Sequence, residues 1–347
     1  MVGFTRDQIL AIGEPERLFV TAEDIAATFK LLAKHWHPDT DTGDAEVFAH
    51  INVLHQQAKQ KVAIGEWHIP GLLELTGTEH SDGIKRKIKY LKEFDCGLGR
   101  AYIGRRYVTY VISDDYADLF HDAKRQLEIF KYPNDKERDQ LAVCLPKIRT
   151  SFTATDKLIL IVTKPDDTIR LRDLLAHVGG KIHPTHVAWI VNRLLNLVNF
   201  LAFNKITHGD LSLDSIFVSP ERHSIALIGG WWYTMPLGSR MARVQPARTL
   251  AYAPRSILTS KIADIKLDLE LVRLIGRELL GDETGIKLRT DKSIPPAMVE
   301  WLRSVTTGDP IVDYTRWPEV LRSSFGERKF VKWDININEI YQEFKNG

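Results

Sequence analysis

Cysteine is almost absent: Cys96 and Cys144 are the only two in 347 residues. Two thiols cannot build a disulfide framework, and their spacing suits no metal site. A dominant charge is missing as well, with 47 basic against 45 acidic residues and a net charge of +2. Such a balance gives no broad phosphate-binding surface, so nucleic acid is not expected as the main partner. The opening MVGFTRDQIL has no basic region followed by an apolar stretch, so no secretory signal is expected. Long hydrophobic runs are lacking too. The most apolar segment, Val187 to Phe203, is interrupted by Asn192, Arg193, Asn196 and Asn199, which suits a buried helix and not a membrane span. The 12 histidines include no HExxH and no convincing ligand pair, so no metal is expected. Neither an internal repeat nor a low-complexity tract is visible. Together these absences point to a reduced, cytoplasmic protein that meets no membrane.

What is present divides by periodicity. A length of 347 residues suggests two or three units. Up to about residue 67 the pattern is helical. Thr21 and Asp24 have the spacing of a capping box, and Ile25, Phe29, Leu32 and Trp36 recur on one face. Pro38 stops that run, because proline disfavours a helical predecessor. A polar loop, Thr40 to Asp44, leads to a second helix through Val47, Ile51, Leu54 and Ala58. Residues 68–83, rich in glycine and proline, suggest a linker. From 84 to about 165 strands dominate, with Ile88, Tyr90, Tyr107 to Ile112 and Leu158 to Thr163, around a helical stretch from Lys136 to Leu145. Beyond Leu171 the chain is mostly helical, with long helices at Val187–Leu201 and Leu269–Leu280.

The first helical pair carries His37-Pro38-Asp39 at the end of a helix bearing Lys30, Lys34 and His35. Alone, the tripeptide is an ordinary turn and the lysines a solvated face. Set between two helices, the segment IAATFKLLAKHWHPDTDTGDAEVFAHINVLHQQAKQ resembles a J-domain, over roughly residues 4–66. The resemblance implies a recognition loop, not a catalytic one. In that family it docks on a DnaK-class ATPase and promotes ATP hydrolysis, while the preceding cations steer the encounter. Two departures stand out. The helix before the loop has few cations, and Gly13 and Pro15 interrupt the first helix.

A second resemblance lies further on. THGDLSLDSIF is similar to the catalytic loop H-x-D-x-x-x-x-N of protein kinases and to the HGD loop of small-molecule phosphotransferases. The match places His208, Gly209 and Asp210 on its first three positions, with Asp210 where the catalytic base would stand. The metal-holding asparagine falls on Ser215, and the magnesium-binding D-F-G falls at Gly229 and Gly230 in IALIGGWWYT. Tyr252-Ala253-Pro254-Arg255 resembles A-P-E with its charge reversed. Asp268, ahead of Leu269–Leu280, resembles the aspartate that supports the loop. Gly97 and Gly99 begin either a glycine-rich loop or a simple hairpin turn, with Tyr102 in place of the third glycine. No V-A-I-K string exists, and either Lys131 or Glu128 aligns where its lysine would be looked for. Trp231, Trp232 and Tyr233 read either as core or as a binding wall.

The expected architecture is therefore multidomain, α + (α+β): an all-helical J-domain at 1–67, a linker at 68–83, and a two-lobed kinase-like domain at 84–347, its lobes meeting near 165/166. Bacterial and bacteriophage proteins that join these two modules look similar. The resemblance implies a co-chaperone for a DnaK-class heat-shock ATPase, whose pseudokinase half binds a client. The alternative is an active phosphotransferase using Asp210, and only that reading requires ATP and magnesium.

Overall fold

In a computed structural model, residues 4–19, 21–63, 67, 71–78, 81–327 and 330–341 are described. The chain forms two compact units, unit 1 up to Leu91 and unit 2 from Lys92 onward. The fold is mixed α and β.

Unit 1 begins with α1 (Arg6–Leu10) and a 3-10 turn at Pro15–Arg17, so Gly13 and Pro15 separate two short pieces. Two longer helices follow, α2 (Ile25–Trp36) and α3 (Ala45–Ala63). Ile9, Phe19, Ile25, Leu32, Val47, Ile51, Leu54 and Ala58 form the buried core between them, with Phe29, Trp36 and Trp67 packed at its margin. Thr21 and Asp24 form only half of the expected box, in a turn just before α2, with the Thr21 hydroxyl accepting the Asp24 N–H (3.3 Å). Their side chains bond to each other (2.7 Å) in a turn, and Asp24 at the N-cap makes no side-chain cap bond. Asp44 caps α3 instead, accepting from the N–H groups of Glu46 (2.9 Å) and Val47 (3.1 Å). Lys61 anchors the entry segment to α3: its Nζ donates to the buried Glu16 (2.8 Å) and to Glu14 (2.9 Å). The stretch expected to be a linker carries β1 (Leu72–Thr76), which pairs antiparallel with β2 (Lys85–Lys89). Both strands thus belong to unit 1, and the boundary between units follows Leu91. Residues 68–70 and 79–80 of that stretch lie outside the described residues.

Unit 2 opens with β3 (Lys92–Asp95), β4 (Gly99–Ile103), β5 (Tyr107–Ser113), α4 (Ala117–Glu128), α5 (Asp135–Leu141), β6 (Ile148–Ala154) and β7 (Lys157–Thr163). These five strands make one antiparallel sheet in the order β3-β4-β5-β7-β6. The near-continuous buried runs of β5 and β7 fit a sheet covered on both faces at its centre. Gly97 and Gly99 form the tight turn between β3 and β4, closed by the Cys96 N–H on the Gly99 carbonyl (3.0 Å).

The remainder is largely helical: β8 (Ile169–Arg170), α6 (Leu171–His177), α7 (Pro184–Phe203), β9 (Ile206–Thr207), β10 (Ile216–Ser219), β11 (Ser224–Leu227), β12 (Met235–Pro236), α8 (Ala247–Tyr252), α9 (Arg255–Ser260), α10 (Lys266–Leu279), α11 (Pro296–Arg303), α12 (Pro310–Phe325) and α13 (Ile337–Ile340). By length and composition α7 is apolar enough to cross a membrane, but most of it is buried in unit 2, against α10 and α12. Trp317 of α12 donates its indole N–H to the Ala188 carbonyl of α7 (3.1 Å), satisfying a fully buried polar atom. Arg273 and Asp313, both buried, pair at 3.0 Å between α10 and α12.

Candidate functional site

Two places collect the residues that the sequence singled out. The first is the loop between α2 and α3 in unit 1. Its backbone is tied from inside: Thr40 donates its hydroxyl to the carbonyls of His37 (2.8 Å) and His35 (3.1 Å), and Thr42 donates to His35 (2.6 Å). Gly43 closes it. A Cβ on that residue would stand 2.0 Å from the His37 carbonyl oxygen, so only glycine fits against the turn. With the backbone held, Pro38 and Asp39 are exposed, and the His37 ring rests edge-on against Phe48 at 5.0 Å. Nδ1 of His37 accepts the Asp39 N–H (3.3 Å). Lys30 and Lys34, one turn apart on α2, are exposed and make no ion pair among the described residues. His35 is half-buried, its ring edge-on to Trp36 (5.0 Å), so it belongs more to the loop's support than to its tip.

The second place lies in unit 2, where His208, Gly209 and Asp210 follow β9. Asp268, at the start of α10 and fully buried, accepts the N–H groups of His208 (2.6 Å) and Gly209 (2.9 Å). The backbone of the loop is therefore fixed by one carboxylate. His208 is buried among apolar groups, which pushes it down to about 3, so it is neutral. Its tautomer follows from its neighbours. Nε2 faces the Gly229 carbonyl (3.0 Å) and must carry the proton, while Nδ1 accepts the Asp210 N–H (3.3 Å).

Asp210 points into a cavity of about 310 Å³, whose walls include Phe94, Tyr110, Asp214, Ser215, Trp232 and Arg248. Burial raises its carboxyl to about 7, and the charges of Asp214 and Asp268 act the same way, against the opposing pull of Arg248. Asp214 is held by Arg172 through three bonds of 2.6 to 2.8 Å, and by Arg170 at 3.3 Å. Arg248 is paired with Glu278 (2.5 Å and 2.9 Å) and donates to the Leu211 carbonyl. Ser215 is buried, with its hydroxyl engaged by Ser212 at 2.9 to 3.3 Å. Cys96 also lines the cavity, and burial pushes its thiol up to about 12, which leaves it protonated and a poor nucleophile.

Gly229 and Gly230 stand on the same wall and bring no carboxylate. They bring room: a Cβ on Gly229 would lie 2.9 Å from the Tyr110 hydroxyl, and one on Gly230 would lie 2.9 Å from Oδ2 of Asp210. Neither Lys131 nor Glu128 is among the cavity's lining residues. The backbone of Lys131 is bonded to the Asn204 side chain (2.8 Å and 3.1 Å), and Glu128 ends α4 exposed. No lysine lines the cavity among the described residues, and none of their clusters holds three or more metal-ligating side chains. Arg255 is exposed at the start of α9. Trp231 and Trp232 are both buried, and Trp232 and Tyr233 line the cavity.

Sequence reasoning missed Tyr110 and the Arg172–Asp214 pair. Tyr110 lies in an apolar strand, where an aromatic normally signals core. The pair joins residues 42 positions apart, a separation that carries no local pattern. No protein-family model matches the chain, and no curated protein matches it.

Proposed function

We propose that the chain is a co-chaperone. Unit 1 recruits a DnaK-class heat-shock ATPase through His37-Pro38-Asp39 and stimulates its ATP hydrolysis. Unit 2 is a kinase-like scaffold that binds a client or partner and transfers no phosphate. The observation that carries this reading is the way the tripeptide is presented. It lies exposed at the tip of an antiparallel helical hairpin, with its backbone clamped by Thr40, Thr42 and Gly43. A loop already held in one shape loses little freedom when it docks. Lys30 and Lys34, without an ion pair among the described residues on the helix leading to it, suit steering toward an acidic surface.

For unit 2, the chemistry around Asp210 supports a scaffold. Phosphoryl transfer relies on positioned metal ions to neutralise developing charge. Here Gly229 and Gly230 offer no ligand, Ser215 is turned to Ser212, and Asp214 is matched to two arginines. Asp210 alone cannot hold such a metal.

The test is single-turnover ATP hydrolysis by a DnaK-class chaperone with the full chain added. Stimulation is expected from the wild type and not from His37→Gln or Asp39→Asn, with folding unchanged by circular dichroism. Equal stimulation by all three proteins would remove the J-domain reading. Separately, labelled ATP with magnesium or manganese should yield no labelling that depends on Asp210. Robust transfer lost in Asp210→Asn would replace the scaffold by an active phosphotransferase.

A further inference from the structure

The cavity of unit 2 contains two polar side chains that the fold does not satisfy. The Tyr110 hydroxyl is buried and has no hydrogen-bond partner among the described residues. The Asp210 carboxylate receives no side-chain hydrogen bond among them either, although it faces the same space. Buried polar groups in folded proteins are normally partnered, so a buried hydroxyl without a partner, facing the same void as the half-buried Asp210 carboxyl, suggests an occupant.

The charges say what kind. Arg172 is matched to Asp214, Arg248 to Glu278, and Arg170 behind them to Asp173 at 2.6 Å. Asp268 is satisfied by two backbone N–H groups, and Asp95 accepts the Gly97 N–H at 2.6 Å. Both arginines lining the cavity thus have a carboxylate partner, and Asp210, with Asp95 at the rim, lines it without an ion pair among the described residues, so the negative charge is in surplus. An anion would meet that surplus charge with no free cation to receive it. A divalent metal would have to draw Asp214 away from two arginines.

Four aromatic side chains, Phe94, Tyr110, Trp232 and Tyr233, share the remaining walls with Cys96, Pro246, two serines and three glycines. Tyr110 and Trp232 meet at a ring-centre distance of 5.3 Å and an angle of 77°, forming a corner of two nearly perpendicular rings. Tyr233 lines the same space. Such faces attract cations through the ring quadrupole, and the protein already uses one that way: the Arg170 guanidinium sits 4.0 Å over the Phe94 ring. At about 310 Å³, the cavity lies at the small end of the range for small-molecule sites.

We propose that this cavity binds a small organic monocation, an alkylammonium or methylated ammonium ion. Its charge rests against Asp210, and its carbon skeleton rests against Tyr110, Trp232 and Tyr233. A primary ammonium also donates to the Tyr110 hydroxyl; a quaternary one does not. The inference concerns this cavity alone and does not depend on the partner of the His37-Pro38-Asp39 loop.

Isothermal titration calorimetry on the full chain at about pH 8, where the Asp210 carboxyl is mostly ionised, with n-butylammonium and tetramethylammonium chlorides at constant ionic strength, tests it. Tert-butanol serves as the neutral comparison. One saturable site shared by both cations is expected, with no comparable binding of the alcohol. Asp210→Asn should weaken both cations by about tenfold or more, as losing a charge-assisted contact does. Tyr110→Phe should weaken butylammonium more than tetramethylammonium. Lys131→Ala, away from the cavity, should change neither. Circular dichroism checks each fold, and if Tyr110→Phe does not fold, Asp210→Asn still decides. No saturable binding of either cation, unchanged affinity in Asp210→Asn, equal binding of tert-butanol, or displacement of the cations by ATP with magnesium at lower concentration would each overturn the proposal.

Discussion

Replacing Asp210 by asparagine turns a carboxyl that burial holds up at about 7 into a neutral amide of nearly the same shape. In the unfolded chain the same carboxyl titrates near its ordinary value of about 3.9. Below about pH 4 both states keep the proton, and the charge distinguishes nothing. Between about pH 4 and pH 7 the unfolded chain releases the proton while the folded one retains it, so stability falls as pH rises. Above about pH 7 the folded protein carries the full cost of an ionised, poorly solvated carboxylate. A displacement of about three units, at about 1.36 kcal/mol each, sets that cost at no more than about 4 kcal/mol. Asp210→Asn removes it. The variant should match the wild type near pH 4 and exceed it progressively, by up to about 4 kcal/mol, near pH 8. Other buried groups titrate in this range. His208, held down by burial, contributes stability that is lost as pH falls toward about 3, and Asp268 is raised to about 6 by burial. Both remain in the variant, so the difference between the two proteins isolates Asp210. Urea unfolding followed by tryptophan fluorescence reports mainly unit 2, since Trp36 and Trp67 are the only tryptophans of the 8 that lie in unit 1. A constant offset belongs to the amide's own hydrogen-bonding needs; a difference that is flat with pH, or that shrinks toward pH 8, refutes the reasoning.

The loop and its supporting core make further predictions. Gly43→Ala should destabilise unit 1 by about 1–3 kcal/mol and reduce chaperone stimulation, because its methyl meets the His37 carbonyl; thermal melts and the ATPase assay read the two effects. Reversing Lys30 and Lys34 to glutamate should slow association with the chaperone and weaken its dependence on salt, measured by stopped flow at two ionic strengths. Lys61→Met should cost about 3–5 kcal/mol in urea unfolding, since it strands the buried Glu16 without its cation.

The helical hairpin of unit 1 was legible because apolar residues every third or fourth position and a stopping proline are local signals. The start of α2 was misread for the same reason. Thr21 and Asp24 have the right spacing, but their side chains satisfy each other before the helix begins. Strand β1 was hidden because turn residues such as Gly71, Gly77 and Gly83 dominate the stretch, although its partner β2 is the next strand in the chain. In unit 2, Asp268 was singled out only through its resemblance to the aspartate that supports the kinase loop, and the structure has it accept two N–H groups of the His208–Gly209 backbone. Tyr110 could not be singled out, because its role is set by what lies opposite it in space: Gly229, more than a hundred residues later. Charges show the same limit. Asp214 looks like a spare carboxylate in sequence, and only the structure reveals that Arg170 and Arg172 already hold it.

The close approach of Tyr110 to Gly229 also works as a ratchet. Any side chain introduced at 229 must enter space that the tyrosine hydroxyl occupies, its first carbon only 2.9 Å away. A carboxylate cannot be placed at that position by one substitution without overpacking the wall. Shrinking Tyr110 alone opens a gap beside Trp232 and supplies no ligand. The two changes are each unfavourable singly and compatible only together, so Gly229→Asp and Tyr110→Ser should be less harmful combined than the sum of their separate effects. Any ligand that a carboxylate at 229 could offer is therefore closed off by the tyrosine opposite it.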